Sequence, residues 1–192
     1  LVNEYLEQRD SSIARSNITI PNFITLVRIL LVGWFSVSLL VLNNRIMALS
    51  VLMSIGITDF LDGFLARRLG QVSNLGKLLD PVADRVAILT CVSTLAATSY
   101  MPLPLAVAIL FREFLISTAA IAMLIKRMKL IDVSILGKAA TFGLYLSLPL
   151  FLFGYGKSNL AVSLRTGGEV LAAVSLAAML VATFNYAVQI FE

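Results

Sequence analysis

Residues 58 to 85 read Thr58-Asp59-Phe60-Leu61-Asp62-Gly63-Phe64-Leu65-Ala66-Arg67-Arg68-Leu69-Gly70-Gln71-Val72-Ser73-Asn74-Leu75-Gly76-Lys77-Leu78-Leu79-Asp80-Pro81-Val82-Ala83-Asp84-Arg85. Apolar segments flank this stretch on both sides, so its four carboxylates lie at or inside the boundary of two apolar helices. Asp59 and Asp62 are three apart at the end of the first of these helices. Asp80 and Asp84 are four apart at the start of the second, so each pair shares a helix face. The run from Gly70 to Gly76 carries turn chemistry, and a short loop there would fold the two helices antiparallel and bring the faces together.

Working outward, apolar stretches of about 20 residues, long enough to cross roughly 30 Å of hydrocarbon, occur near 22–42, 46–66, 80–98, 103–125, 136–155 and 168–190. Turns are expected at Asn43-Asn44, Met101-Pro102-Leu103-Pro104 and Gly154 to Gly168. The expectation is an all-α integral membrane protein with six transmembrane helices in one domain over residues 21–192. Composition agrees: 59% of residues are hydrophobic and 14% charged, where soluble domains carry about a quarter charged. Residues 1–20 differ, with Glu4, Glu7, Arg9, Asp10 and Arg15 interleaved with Leu1, Tyr5, Leu6 and Ile13. They lack the pattern of a signal peptide and read as an amphipathic interfacial helix, a juxtamembrane segment before Pro21.

Under that topology, Arg9, Arg15, Arg67, Arg68, Lys77, Lys126, Arg127, Lys129 and Lys138 fall on one side, against Arg45, Lys157 and Arg165 on the other. The bias places both termini and the loop between the second and third helices, Gly70 to Gly76, in the cytoplasm. The net charge of +4 is then a topology signal, and no nucleic-acid partner is expected. The chain has no histidine and one cysteine, Cys91. A Ser-His-Asp triad, a phosphohistidine, a Cys/His zinc site and an intrachain disulfide are thereby excluded.

Four like charges in a low-dielectric place repel unless a counter-charge is present. A divalent cation is the simplest one, and all-oxygen ligands favour Mg²⁺, Mn²⁺ or Ca²⁺. Gly63, Ala66 and Gly76 would let a bulky group approach the backbone, and the Arg67 fork suits a phosphate, so metal, Arg and small residues together look like a diphosphate site. The bland reading is a set of solvated helix ends or ion pairs. Ionisable residues within membrane segments are expensive and mostly functional, which favours a site.

The pattern Asp59-x2-Asp62-Gly63-x2-Ala66-Arg67-x8-Gly76-x3-Asp80-x3-Asp84 resembles, at every fixed position, the signature of the CDP-alcohol phosphatidyltransferases. Members are six-helix membrane enzymes, commonly homodimers, which use divalent metal to join a CDP-linked lipid to an alcohol with release of CMP. The resemblance implies that Asp59, Asp62, Asp80 and Asp84 ligate Mg²⁺ or Mn²⁺, two ions in all, and that Asp84 is also the general base. It implies further that Gly63, Ala66 and Gly76 line the cytidine pocket and Arg67 holds the diphosphate of CDP-diacylglycerol. Ile20-Pro21-Asn22-x2-Thr25-x2-Arg28 resembles the family's first-helix pattern, in which Asn22 and Thr25 face the nucleotide diphosphate. The implied location is a bacterial plasma membrane, with the site on the cytoplasmic side.

For the acceptor, the chain resembles the branch that contains phosphatidylglycerophosphate synthases and CDP-lipid-type cardiolipin synthases. Members using glycerol 3-phosphate carry two further basic residues at positions that here read Ala120 and Ala140, leaving Arg112 and Lys138 as acceptor-binding candidates. A phosphomonoester with nearly two negative charges needs more charge-assisted bonds than a singly charged diester. Phosphatidylglycerol is therefore the expected acceptor, with glycerol 3-phosphate the alternative. The run Gly137-Lys138-Ala139-Ala140-Thr141-Phe142-Gly143 also looks like that of actinobacterial members assigned to cardiolipin synthesis. The competing readings are a local ion pair for Arg112-Glu113, an interfacial anchor for Lys138, and a close-packing or dimer seam for Ala172, Ala173, Ala177 and Ala178. A cation transporter or channel would spread acidic residues through the membrane depth, and here they gather at one end.

Overall fold

A computed structural model describes residues 20–69, 76–125 and 134–191, with side chains described for 23–59, 61, 82–119 and 134–185. Six helices follow in order: α1 (Ile20–Leu40), α2 (Arg45–Leu69), α3 (Gly76–Ala97), α4 (Leu103–Ile125), α5 (Ile135–Phe153) and α6 (Asn159–Phe191). Local chemistry sets several of their ends. Asn43 adopts a left-handed φ of 48°, and Asn44 Oδ1 accepts from the Met47 amide at 3.0 Å to cap α2. Ser134 caps α5 by accepting from the Gly137 amide at 3.1 Å. Pro104 sits in the first turn of α4, where its missing N–H costs no helix bond.

The long connection expected from Gly154 to Gly168 is shorter than that, because α6 begins at Asn159. Ser158 Oγ accepts from the Ala161 amide at 3.1 Å and caps the helix. Arg165 and Glu169, four apart, pair at 3.1 Å within the turn that the two glycines occupy. Gly168 acts as a packing residue rather than a breaker: a Cβ there would lie 3.0 Å from Leu150 Cβ on α5.

Helix α5 packs most extensively on α6, and α1 on both α2 and α3. The α5–α6 approach is close at Gly143, where a Cβ would meet Ser175 Oγ at 2.5 Å. Of the α6 alanines at the expected seam, Ala172 and Ala178 turn inward to the core, and Ala173 and Ala177 are exposed. The core runs through Phe35, Ile55, Cys91, Val92, Leu95, Ile109, Leu144, Leu148 and Met179. Ser36 on α1 and Thr94 on α3 bond across it at 2.9 Å. On α1, Val32, Phe35 and Leu39 face this core, while Leu26, Leu30, Trp34 and Val37 are exposed. A helix apolar on both faces has hydrocarbon on its outer side, and the chain is an integral membrane protein.

The expectation of six transmembrane helices is corrected. Among the described residues, three helices are long and apolar enough to cross a bilayer: α1 over Phe23–Leu40, α5 over Ile135–Phe153 and α6 over Asn159–Asn185. The six-helix all-α bundle stands, with three such spans. Charge separates α2 and α3 from these: α2 carries Asp59, Asp62, Arg67 and Arg68, and α3 carries Lys77, Asp80, Asp84 and Arg85, and ionised groups are costly in hydrocarbon. The amphipathic segment expected over 1–20 lies, but for Ile20, outside the described residues.

At the end of the bundle opposite the signature, the turns after α1, α3 and α5 meet. Arg45 Nη1 donates to the Tyr155 carbonyl at 2.6 Å and its guanidinium lies 5.6 Å from the Tyr155 ring centroid. Tyr100 packs on the same ring at 4.7 Å. Burial and the neighbouring Tyr155 raise the Tyr100 phenol above its ordinary value, with Arg45 pulling the other way.

Candidate active site

Helix periodicity places Asp59, Asp62, Gly63 and Ala66 on one face of α2 and Gly76, Asp80 and Asp84 on one face of α3. Two of the four carboxylates have described side chains, and the fold brings them together. Arg28 Nη1 on α1 lies 2.8 Å from Asp59 Oδ1 and 2.6 Å from Asp84 Oδ1. One nitrogen thus joins carboxylates from two helices. The Arg28 side chain is 2% exposed, whereas those of Asp59 and Asp84 are 49% and 43% exposed. The cation therefore sits beneath the carboxylates, which face outward. The counter-charge that the aspartates require is supplied in part by the protein itself, from a residue whose role the sequence left unassigned. Thr25, one turn before Arg28, is buried. From α5, Tyr145 Oη donates to the Asp84 carbonyl at 3.2 Å.

The side chains of Asn22, Asp62, Gly63, Ala66, Arg67, Gly76 and Asp80 lie outside the described set. Among the described residues, no group of three or more carboxylates, cysteines or histidines gathers to hold a metal. The oxygens of Asp59 and Asp84 that converge do so on Arg28 Nη1; both side chains are about half-exposed, and carboxylate oxygen is the donor type a hard divalent cation takes.

A second polar cluster lies between α3 and α4. Arg85 Nη1 donates to Glu113 Oε2 at 3.3 Å and to Ser117 Oγ at 3.1 Å, and Arg112 Nη1 pairs with Glu113 Oε1. Glu113 is 2% exposed and Arg112 9%. Arg112 Nε is buried with no hydrogen-bond partner among the described residues. The local ion pair that could explain Arg112-Glu113 is therefore present, and it extends to a third residue. Arg85 is the most exposed charge of the three. Arg85 and Ser117 were not singled out from the sequence as members of this cluster, although Arg85 follows the last signature aspartate directly. Lys138 is exposed in the first turn of α5, with no ion pair among the described residues.

The chain belongs to the CDP-alcohol phosphatidyltransferase family, whose profile matches residues 18–187. That is an enzyme family which transfers phosphatidyl groups from CDP-diacylglycerol. A cardiolipin synthase (CMP-forming) of Streptomyces coelicolor is 37% identical over 159 residues, 75% of this chain and 69% of that protein. A CDP-diacylglycerol–glycerol-3-phosphate 3-phosphatidyltransferase of Aquifex aeolicus is 34% identical over 177 residues, covering 90% and 96% of the two chains. One of the same name from Rickettsia felis is 27% identical over 169 residues, 87% of this chain and 92% of that protein. The actinobacterial relatives are longer: the chain spans 69% of the Streptomyces protein and 66% of a relative from Mycobacterium tuberculosis.

Proposed function

We propose that this enzyme is a cardiolipin synthase of the bacterial plasma membrane, acting at the cytoplasmic side. It joins CDP-diacylglycerol to phosphatidylglycerol and releases CMP. The observation that carries the acceptor assignment is the Arg85–Glu113–Arg112 cluster. Two guanidiniums share one buried carboxylate, so the cluster adds one net positive charge to that of Lys138, and Ala120 and Ala140 stand where members using glycerol 3-phosphate carry two more basic residues. The smaller positive charge suits a singly charged phosphodiester better than the near-double charge of glycerol 3-phosphate. The Streptomyces relative supports the same reading. The alternative, phosphatidylglycerophosphate synthesis, draws its support from the Aquifex relative, which this chain matches over nearly its full length.

In this reading Asp84 accepts the proton of the acceptor hydroxyl as its oxygen bonds to the lipid-side phosphorus and the bond to CMP breaks. Asp59, Asp62, Asp80 and Asp84 would hold Mg²⁺ or Mn²⁺, which when bound neutralises the diphosphate and the departing CMP. Asn22, Thr25, Gly63, Ala66, Arg67 and Gly76 hold the CDP-lipid. Arg85, with Arg112 behind it and Lys138 from α5, receives the acceptor phosphate. The enzyme acts as a homodimer, as the family resemblance implies.

The deciding experiment supplies purified enzyme in detergent with CDP-diacylglycerol and Mg²⁺, offers phosphatidylglycerol or glycerol 3-phosphate, and reads CMP release and product mass. Cardiolipin is the expected product. Phosphatidylglycerophosphate as the dominant product overturns the acceptor assignment, and the absence of CMP with either acceptor overturns the chemistry.

A further inference from the structure

We propose that Arg28 is a positioning residue of the transfer reaction: a resident counter-cation that ties the first and fourth signature carboxylates to α1. The inference deepens the reading above and rests on it for the roles of Asp59 and Asp84.

Arg28 is 1% exposed, and a buried cation is retained only where partners offset its desolvation. Its Nη1 reaches one oxygen of Asp59 and one of Asp84, at 2.8 and 2.6 Å. Those two oxygens can be no farther apart than the two bonds laid end to end. Two like charges held that closely on different helices would push α2 and α3 apart. The guanidinium removes the repulsion from beneath and leaves the outward side of each carboxylate to the site. Tyr145 holds the Asp84 main chain from α5 at 3.2 Å. Asp84 is thus located by α1 through its side chain and by α5 through its backbone. Arg28 lies behind the carboxylates, so it acts through them and does not itself touch the reacting atoms.

A consequence follows for metal binding. With Arg28 present, the carboxylate end is assembled before any divalent cation arrives. Without it, a bound cation becomes the main counter-charge, and the stability of this end depends on metal.

The test compares wild type, Arg28→Met, Arg28→Lys and the double variant Arg28→Met/Asp59→Asn, by thermal unfolding in detergent with EDTA and with millimolar Mn²⁺. For wild type the midpoint rises with Mn²⁺, as for any cation that binds the folded state, but by less than it does for Arg28→Met. Arg28→Met, close in volume but uncharged, falls by about 6 °C or more in EDTA and recovers most of that loss with Mn²⁺. Arg28→Lys, which keeps the charge, stays near wild type in EDTA. The double variant, with one repelling carboxylate neutralised, regains stability in EDTA without metal. At saturating Mn²⁺, Arg28→Met has kcat reduced about tenfold or more, with KM for CDP-diacylglycerol changed less than about threefold.

An Arg28→Met midpoint equal to wild type in EDTA overturns the proposal. So does a loss that Arg28→Lys shares and that neither Mn²⁺ nor Asp59→Asn relieves, since that outcome is a packing defect. Failure of Mn²⁺ to shift any variant, together with rescue by Asp59→Asn, overturns the metal reading and leaves Arg28 as the counter-cation.

Discussion

Tyr145, on α5, donates from its hydroxyl to the main-chain carbonyl of Asp84, on α3, at 3.2 Å. The bond crosses 61 residues of sequence and fixes the backbone of the residue assigned the acceptor proton. Tyr145→Phe removes the donor and keeps the ring. A single neutral hydrogen bond contributes about 0.5–1.5 kcal/mol, so kcat should fall about two- to tenfold with KM for CDP-diacylglycerol near wild type. Steady-state kinetics with varied lipid substrate checks this, and a rise in KM alone would place Tyr145 on the substrate instead.

Asp84→Asn keeps the shape of the side chain and removes its ability to take a proton. Turnover should drop by about 10²-fold or more, with CDP-diacylglycerol binding largely intact, as measured by protection from thermal unfolding. Equal loss of binding and turnover would make Asp84 chiefly a ligand of the metal.

Arg85 is the exposed member of the cluster with Glu113 and Arg112. Arg85→Gln should lower kcat/KM for phosphatidylglycerol about 10- to 100-fold, the equivalent of one charge-assisted bond, and leave KM for CDP-diacylglycerol unchanged. Glu113→Gln should instead destabilise the whole protein by about 3–5 kcal/mol, because it leaves buried Arg112 without its counter-charge. Thermal unfolding beside acceptor kinetics separates the two effects, and an inactive but fully stable Glu113→Gln enzyme would contradict the structural role.

Two glycines near the α5–α6 turn should respond in opposite directions. A Cβ at Gly154 would lie 2.5 Å from the Arg165 amide nitrogen, a backbone atom with no freedom to move aside. Gly154→Ala should cost about 1–3 kcal/mol. Gly167, inside α6, has nothing within 4 Å of a built Cβ, so Gly167→Ala should stabilise by about 0.5–1 kcal/mol through helix propensity. Unfolding midpoints of the two variants give the comparison directly.

Six helices, their approximate places and the acidic signature between α2 and α3 were legible from residue order alone. These follow from local rules: apolar segments of membrane length, turn residues between them, and carboxylates spaced three or four apart so that each pair shares a face. Residue order also pointed to the need for a counter-charge, since four aspartates in one place repel whatever the fold. Tertiary structure decided which group supplies it. Arg28 meets Asp59 and Asp84 only because α1 packs against both α2 and α3, and nothing local to residue 28 specifies partners 31 and 56 positions away. The pairing of Arg85 with Glu113 has the same origin in the α3–α4 contact. The Gly167-Gly168 pair shows the converse. Two glycines that read as the end of a loop lie inside α6; at Gly168 the neighbouring Leu150 of α5 needs the space a side chain would fill, whereas Gly167 has open space beside it. The number of spanning helices among the described residues also differs from the six expected from apolar segments of membrane length, because charge within α2 and α3 weighs against crossing hydrocarbon.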